Sequence, residues 1–362
     1  MRLGVAAALV DGSILPGDIE IDDGRVVAVG LSGSGSGIAV PGFVDLQVNG
    51  FGGVDFATAD SVDYRRAGEA LLATGVTAFQ PTLITAPEDE LVAALREVPR
   101  EAIGPRVLGV HLEGPFLSPL RPGAHPVEAI VEPDEGLARR LLTAGRVSYM
   151  TLAPECPRAG ELIDLLHARG IVVSCGHTDA TAAEAASAFD RGVRTVTHLF
   201  NAMRPFAHRD PGIAAVALAR DDVVVQVIVD GLHLADDTVR VAWRAAARRL
   251  ALVTDAMAAA GAGDGRYQLS GVEVEVRDGV ARRDGGALAG SVVTMPEAVR
   301  NLHALGVPLA DALGAATAVP ARVLGDRELG VLHPGATADI VVLDDALEVH
   351  RVLVAGREKV AV

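Results

Sequence analysis

The stretch Ile171–Met203, IVVSCGHTDATAAEAASAFDRGVRTVTHLFNAM, holds one complete structural unit. Ile171–Cys175 is an apolar run of strand length, Ala182–Phe189 has helical periodicity with a charged outer face, and Thr195–Leu199 is a second apolar run. A strand, a helix and a strand in that order make a parallel pair with a crossover. The alternation continues in both directions. Strand-length runs recur at Val44–Val48, Val76–Phe79, Val107–Leu112 and Val147–Leu152 before the unit, and at Val223–Val229 and Ala251–Val253 after it. Helical periodicity fills intervening segments such as Val62–Leu72, Glu88–Val98, Glu161–Ala168 and Asp236–Arg249. Eight strands alternating with helices predict an α/β fold, a TIM-like (β/α)8 barrel spanning 41–334.

The flanks read differently. Asp18–Ile21 and Arg25–Val29 are short alternating pieces with turn signals at Asp11-Gly12 and Asp23-Gly24, and Ile340–Leu343 and His350–Val354 repeat the style. They predict a small discontinuous β-sandwich domain formed by both termini, residues 1–40 with 335–362. The alternating VEVEV within Tyr267–Ala281 predicts a hairpin insert near 265–285.

Composition excludes several chemistries. Of 32 Lys plus Arg, Lys359 is the only lysine, and it lies three residues from the C-terminus. Walker-type phosphate loops, Schiff-base and pyridoxal-phosphate enzymes and carbamylated-lysine metal centres all need a lysine in the core. A formal charge of −15 without an arginine-rich face argues against nucleic acid as a partner. Asp11 cuts short the apolar N-terminal run and no apolar stretch approaches membrane-spanning length, so neither a signal peptide nor a membrane partner is expected. Cys156 and Cys175 are too few for a disulfide framework, so a reduced, cytoplasmic protein is expected.

Barrel chemistry sits where strands end. Here the strand ends carry Glu113, His177, His198, His233 and Asp255. One carboxylate and two imidazoles suit a catalytic Zn2+ or Fe2+ with open positions, and Glu113, His177 and His198 form that trio. Asp255, alone at the end of the eighth strand, can take a proton from the attacking water and return it to the leaving group. His111, two residues before Glu113, shares its side of the strand and is read as a structural or supporting residue.

The motifs PGFVDLQVNG (41–50), HLEGPF (111–116), GHTDA (176–180), THLFNAM (197–203), DGLH (230–233), VTDAM (253–257) and LAGS (288–291) together resemble the N-acetylglucosamine-6-phosphate deacetylase family of the amidohydrolase superfamily. PGATADIVVLD (334–344) matches the superfamily's β-sandwich border, so the resemblance spans nearly the whole chain. It implies hydrolysis of the N-acetyl amide of N-acetylglucosamine-6-phosphate in amino-sugar catabolism. Glu113, His177 and His198 would hold one divalent metal ion per subunit, with Asp255 as acid/base. His125, beside Ala124, would help polarise the acetyl carbonyl. Asn201 and Ala202 would contact the sugar phosphate, Arg209 and His233 would supply its remaining contacts, and backbone at Leu288, Ala289 and Gly290 would close over the substrate. The resemblance also implies a homodimer in which a phosphate contact comes from the neighbouring subunit.

One departure concerns metal count. Many amidohydrolases carry His-x-His at the first strand end for a second metal, and this chain has Gln47-Val48-Asn49. Neutral amides are weak ligands for Zn2+ beside imidazole, so a mononuclear centre is expected. A cyclic amidohydrolase would use the carbamylated lysine and the His pair that are missing. A non-catalytic scaffold would have lost some of Glu113, His177, His198 and Asp255, and all four are present. The N-acetylgalactosamine-6-phosphate epimer fits the same residues.

Overall fold

The computed structural model describes residues 1–33 and 35–361. Its centre is a sheet of eight parallel strands in sequence order: β1 (Phe43–Val48), β2 (Val76–Ile84), β3 (Val110–Glu113), β4 (Val147–Leu152), β5 (Val172–Cys175), β6 (Thr195–Val196), β7 (Val224–Val227) and β8 (Leu250–Leu252). Every residue of β1 and β2 is buried, as expected for parallel strands covered on both faces. A two-residue strand, Arg106–Val107, extends β3 backwards along β2. The seam between β1 and β8 is spanned by other means: the amides of Asn49 and Gly50 donate to the Ala256 carbonyl, and Thr254 Oγ1 donates to buried Asp45 at 2.6 Å. The expected barrel is therefore present, its β1–β8 edge joined by single contacts.

Helices follow each strand: α1 (Ser61–Ala73), α2 (Glu88–Glu97), α3 (Glu135–Ala144), α4 (Ala159–His167), α5 (Ala182–Asp190), α6 (Gly212–Ala219), α7 (Asp236–Ala246) and α8 (Met295–Ala304). Thr181 caps α5 reciprocally with Glu184, which fixes where the loop after β5 must end. Between β8 and α8 the alternating segment forms three antiparallel strands, β9 (Gly265–Leu269), β10 (Val272–Arg277) and β11 (Val280–Arg283), one more than a hairpin. The Ser270 amide in the β9–β10 turn donates to Asp55 Oδ2 at 2.8 Å, tying the insert to the loop after β1.

The termini build a six-stranded sheet from Ser13–Pro16, Ala7–Val10, Ile38–Pro41, Ile340–Leu343, Val349–Val354 and Arg357–Ala361, with a separate pair formed by Asp18–Asp22 and Arg25–Leu31. Period-two alternation decides what each face of the larger sheet covers. Ile38, Val40, Val341 and Leu343 belong to the barrel-side core, while Ala39, Ile340 and Val342 join Val5, Ile19 and Val26 in a second core.

The barrel interior is unusually polar. His111 Nε2 meets Thr151 Oγ1 at 2.7 Å, Thr151 meets Thr197 at 2.8 Å, and Thr197 meets Ser174 at 2.6 Å. A carbonyl only accepts, so His111 Nδ1 donates to Leu46 O at 3.2 Å and Nε2 accepts from Thr151. Burial brings the His111 pKa down to about 4, so the ring is neutral and serves the packing of the barrel.

Candidate active site

A cavity of about 180 Å³ opens at the C-terminal ends of the strands. Glu113 from β3, His177 after β5, His198 after β6 and Asp255 after β8 all line it. Three of these sit in left-handed backbone, with φ of 47° at His177, 30° at His198 and 49° at Asp255. Non-glycine residues adopt that region at a cost of order 1–3 kcal/mol each, and such strain concentrates where a side chain must be aimed.

Glu113 Oε1 lies 2.9 Å from His198 Nε2 and 3.2 Å from His177 Nε2, and the two Nε2 atoms are 3.1 Å apart. A tetrahedral ion with bonds of about 2.0–2.1 Å would separate its ligands by roughly 3.3–3.4 Å, close to this triangle. His177 Nδ1 must donate to the Arg121 carbonyl at 3.0 Å, which leaves the Nε2 lone pair facing the other two atoms. Three such atoms in close contact need a cation, or a proton that only one pair can share.

A looser grouping also exists, because donor atoms of Glu113, His125 and His177 lie within 4.8 Å of one another. Proton geometry decides between the two sets. The Thr85 backbone N–H, which can only donate, points at His125 Nδ1 at 3.2 Å, so the proton of a neutral His125 is on Nε2. That N–H faces Glu113 Oε2 at 3.6 Å and offers a donor instead of a lone pair. That geometry favours Glu113, His177 and His198 as the atoms able to face one ion, with His125 beside them. Among the described residues His198 Nδ1 has no hydrogen-bond partner, unlike Nδ1 of His177.

Burial and the mutual contacts shift the four groups in different directions. Burial acts to raise the Glu113 pKa, but contact with His125, His177 and His198 outweighs it and holds the carboxyl well below its ordinary range. Burial, reinforced by His125, lowers His177 to about 4 and keeps it neutral, the form a ligand needs. For His198 burial acts downward, yet the Glu113 contact prevails and its pKa is raised. Burial and the nearby Glu113 push Asp255 up to about 6.

The positions that could have carried a His pair now hold amides that serve the carboxylates. Gln47 Nε2 donates to Glu113 Oε1 at 3.0 Å, and Asn49 Nδ2 donates to Asp255 Oδ1 at 2.8 Å. Of the remaining expected residues, Ala124, His125, Asn201, Ala202 and His233 line the same cavity, as do Leu288 and Gly290. Gly290 has φ 65°, and a Cβ there would stand 3.0 Å from the Asp255 carbonyl oxygen, so glycine is required beside the strand end. His233 Nδ1 donates to Asp230 Oδ2 at 2.7 Å, and the residue lines the cavity. Two expected residues do not line the cavity of this chain. Ala289 is fully buried, its amide donating to Ala281 O, and Arg209 is exposed on the 204–210 loop.

Supporting residues emerge that the strand-end reading passed over. Thr85 fixes the His125 tautomer from just beyond β2. Glu155, beyond the end of β4, accepts from Thr178 Oγ1 and the Asp179 amide at 2.5 Å each, bracing the loop that carries His177. Arg121 and Arg204 both grip Asp179, at 2.7 and 2.9 Å, and Arg204 also binds Asp210 next to Arg209. The signal for Thr85 and Glu155 was their place at strand ends.

Residues 38–359 match the model of the amidohydrolase family. The chain is 42% identical to human N-acetylglucosamine-6-phosphate deacetylase, covering 95% of this chain and 89% of the relative. It is 35% identical to an N-acetylgalactosamine-6-phosphate deacetylase of Escherichia coli O157:H7, covering 94% and 93%. Among solved structures, an alanine variant of N-acetyl-D-glucosamine-6-phosphate deacetylase from Mycobacterium smegmatis, in complex with N-acetyl-D-glucosamine-6-phosphate, superposes with a TM-score of 0.95 at 39% identity, covering 99% of this chain and 98% of that one.

Proposed function

The chain belongs to the amidohydrolase family and, within it, to the N-acetylglucosamine-6-phosphate deacetylases, and on that premise we propose that it hydrolyses N-acetylglucosamine-6-phosphate to glucosamine-6-phosphate and acetate. The observation that carries this reading is the close trio of Glu113, His177 and His198 in one cavity with Asp255. A divalent ion held by the trio, Zn2+ or Fe2+ by the chemistry of the donors, would polarise the acetyl carbonyl and acidify the attacking water. Asp255 accepts the proton of that water as the new C–O bond forms at the carbonyl carbon. It returns the proton to nitrogen as the C–N bond breaks, so that amine and acetate depart. His125 donates its Nε2–H to the carbonyl oxygen, where negative charge grows.

The one-metal centre is supported by the two amides. Each places a donor hydrogen against a carboxylate that a second ion would have to share. Substrate recognition rests on Asn201, Ala202 and His233, with Leu288 and Gly290 as the covering backbone. Among the described residues no arginine or lysine lines the cavity. Exposed Arg209 lies on a loop with Phe206, 53% exposed. Both facts support a homodimer in which Arg209 reaches the phosphate of the neighbouring site, bidentate geometry favouring Arg for this task. The two cores support a division into residues 1–40 with 335–362 and residues 41–334, spans that include Ser34 and Val362, which lie outside the described residues. Among the described residues no helix is long and apolar enough to cross a membrane, and a cytoplasmic enzyme is part of the same proposal.

A side-by-side assay tests the reading, with N-acetylglucosamine-6-phosphate, its galactosamine epimer and unphosphorylated N-acetylglucosamine as substrates. The first is expected to have the highest kcat/KM. A preference for the epimer would transfer the assignment to that sugar, and cleavage of none would end it. In the same assay Arg209→Ala should raise KM for the phosphorylated sugar alone, by about tenfold or more for a lost charge-assisted contact. An equal effect on the unphosphorylated sugar would contradict phosphate recognition by Arg209.

A further inference from the structure

Asn49 has two ends, and the proton transfer described so far uses neither. Its Nδ2 donates to Asp255 Oδ1 at 2.8 Å, and its Oδ1 is buried without a hydrogen-bond partner among the described residues. The amide cannot turn over, because that would set oxygen against the oxygen of an ionised carboxylate. An unpartnered buried acceptor is unfavourable unless something else satisfies it. Gln47 Oε1 is also unpartnered, but Gln47 does not line the cavity, whereas Asn49 does.

We infer that Asn49 is a positioning residue that holds Asp255 with one end and accepts the N–H of the scissile amide with the other. The inference rests on the hydrolytic reading above and adds a role to it. Asp255 must deliver a proton to the amide nitrogen, so the nitrogen sits beside Asp255, and the substrate donor nearest Asn49 is the hydrogen on that nitrogen. In the intact amide the nitrogen lone pair is delocalised into the carbonyl. Once water has added to the carbonyl carbon, the nitrogen becomes pyramidal and its lone pair can emerge on either side. Holding the N–H on Asn49 Oδ1 turns the lone pair toward Asp255. Asn49 Nδ2 meanwhile keeps Asp255 Oδ1 occupied, so the proton taken from water resides on Oδ2 and is passed from there. The C–N bond then breaks with two hydrogens on nitrogen, one original and one from water.

The test compares the amide with the ester analogue in which oxygen replaces the acetamido N–H, using the metal-loaded wild type and Asn49→Ala. The ester has no N–H to orient, and its leaving oxygen depends less on prior protonation. Asn49→Ala is expected to lower kcat on the amide by about 10- to 100-fold, with the KM of the amide and the metal content little changed. On the ester it should lower kcat by no more than about threefold, the scale of one weak contact. Equal losses on both substrates, or loss of metal, would show a merely structural residue and overturn the inference. Asn49→Ser supplies the same comparison should Asn49→Ala not fold. A wild type that cleaves the ester and not the amide would overturn the hydrolytic reading itself, an outcome distinct from equal losses.

Discussion

Asp255→Asn is expected to keep the metal and bind substrate while turnover falls by about 10²- to 10⁴-fold, the usual worth of a positioned acid/base. The change is isosteric and leaves the Asn49 contact one oxygen to donate to, so the strained strand end should survive. What it removes is the site that carries a proton from water to nitrogen. Burial and Glu113 hold the wild-type carboxyl at about 6, and the residue must be ionised to begin the reaction. The wild-type kcat/KM should therefore fall as pH drops below about 6, and that acid limb should be missing from the residual activity of the variant. Turnover near the wild-type level would refute the role.

Glu113→Gln is expected to remove both metal and activity, by at least about 10³-fold, since a Lewis acid contributes several kcal/mol to the barrier. Glu113 is the only carboxylate of the trio, and His125, His177 and His198 all lie against it in a buried site. Gln keeps the shape but gives a neutral, weaker ligand and brings a donor toward His125, whose Nε2 already carries hydrogen. Metal analysis of the purified variant should show substoichiometric ion. Full occupancy with full activity would contradict the ligand assignment.

The barrel was legible because its chemistry is local. Each strand is a buried apolar run, and each key residue lies at the end of one or within three residues beyond it, so placing the strand places Glu113, His177, His198 and Asp255. The β sheet of the termini was legible in part, through the alternating Ile340–Leu343 and His350–Val354, while its strands at Ala7–Val10, Ser13–Pro16, Ile38–Pro41 and Arg357–Ala361 were not read. Other features depend on where distant loops meet. Thr85 and His125 are forty residues apart, and Glu155 reaches the β5 loop from beyond β4; nothing in their spacing announces either pairing. The helix Gly212–Ala219 is apolar on all sides and so carries no period to read. The third insert strand, Val280–Arg283, is short and half charged. Arg209 came from family likeness, and its exposed position leaves it outside the cavity of its own chain.

The most direct measurement is a metal titration. Chelator-stripped protein is given increasing amounts of Zn2+ or Fe2+, and release of free amine from N-acetylglucosamine-6-phosphate is followed. The predicted result is no release from the stripped protein and full activity at one equivalent of metal per chain. Amine release independent of metal, or activity that appears only at two equivalents, would contradict a single ion held by Glu113, His177 and His198.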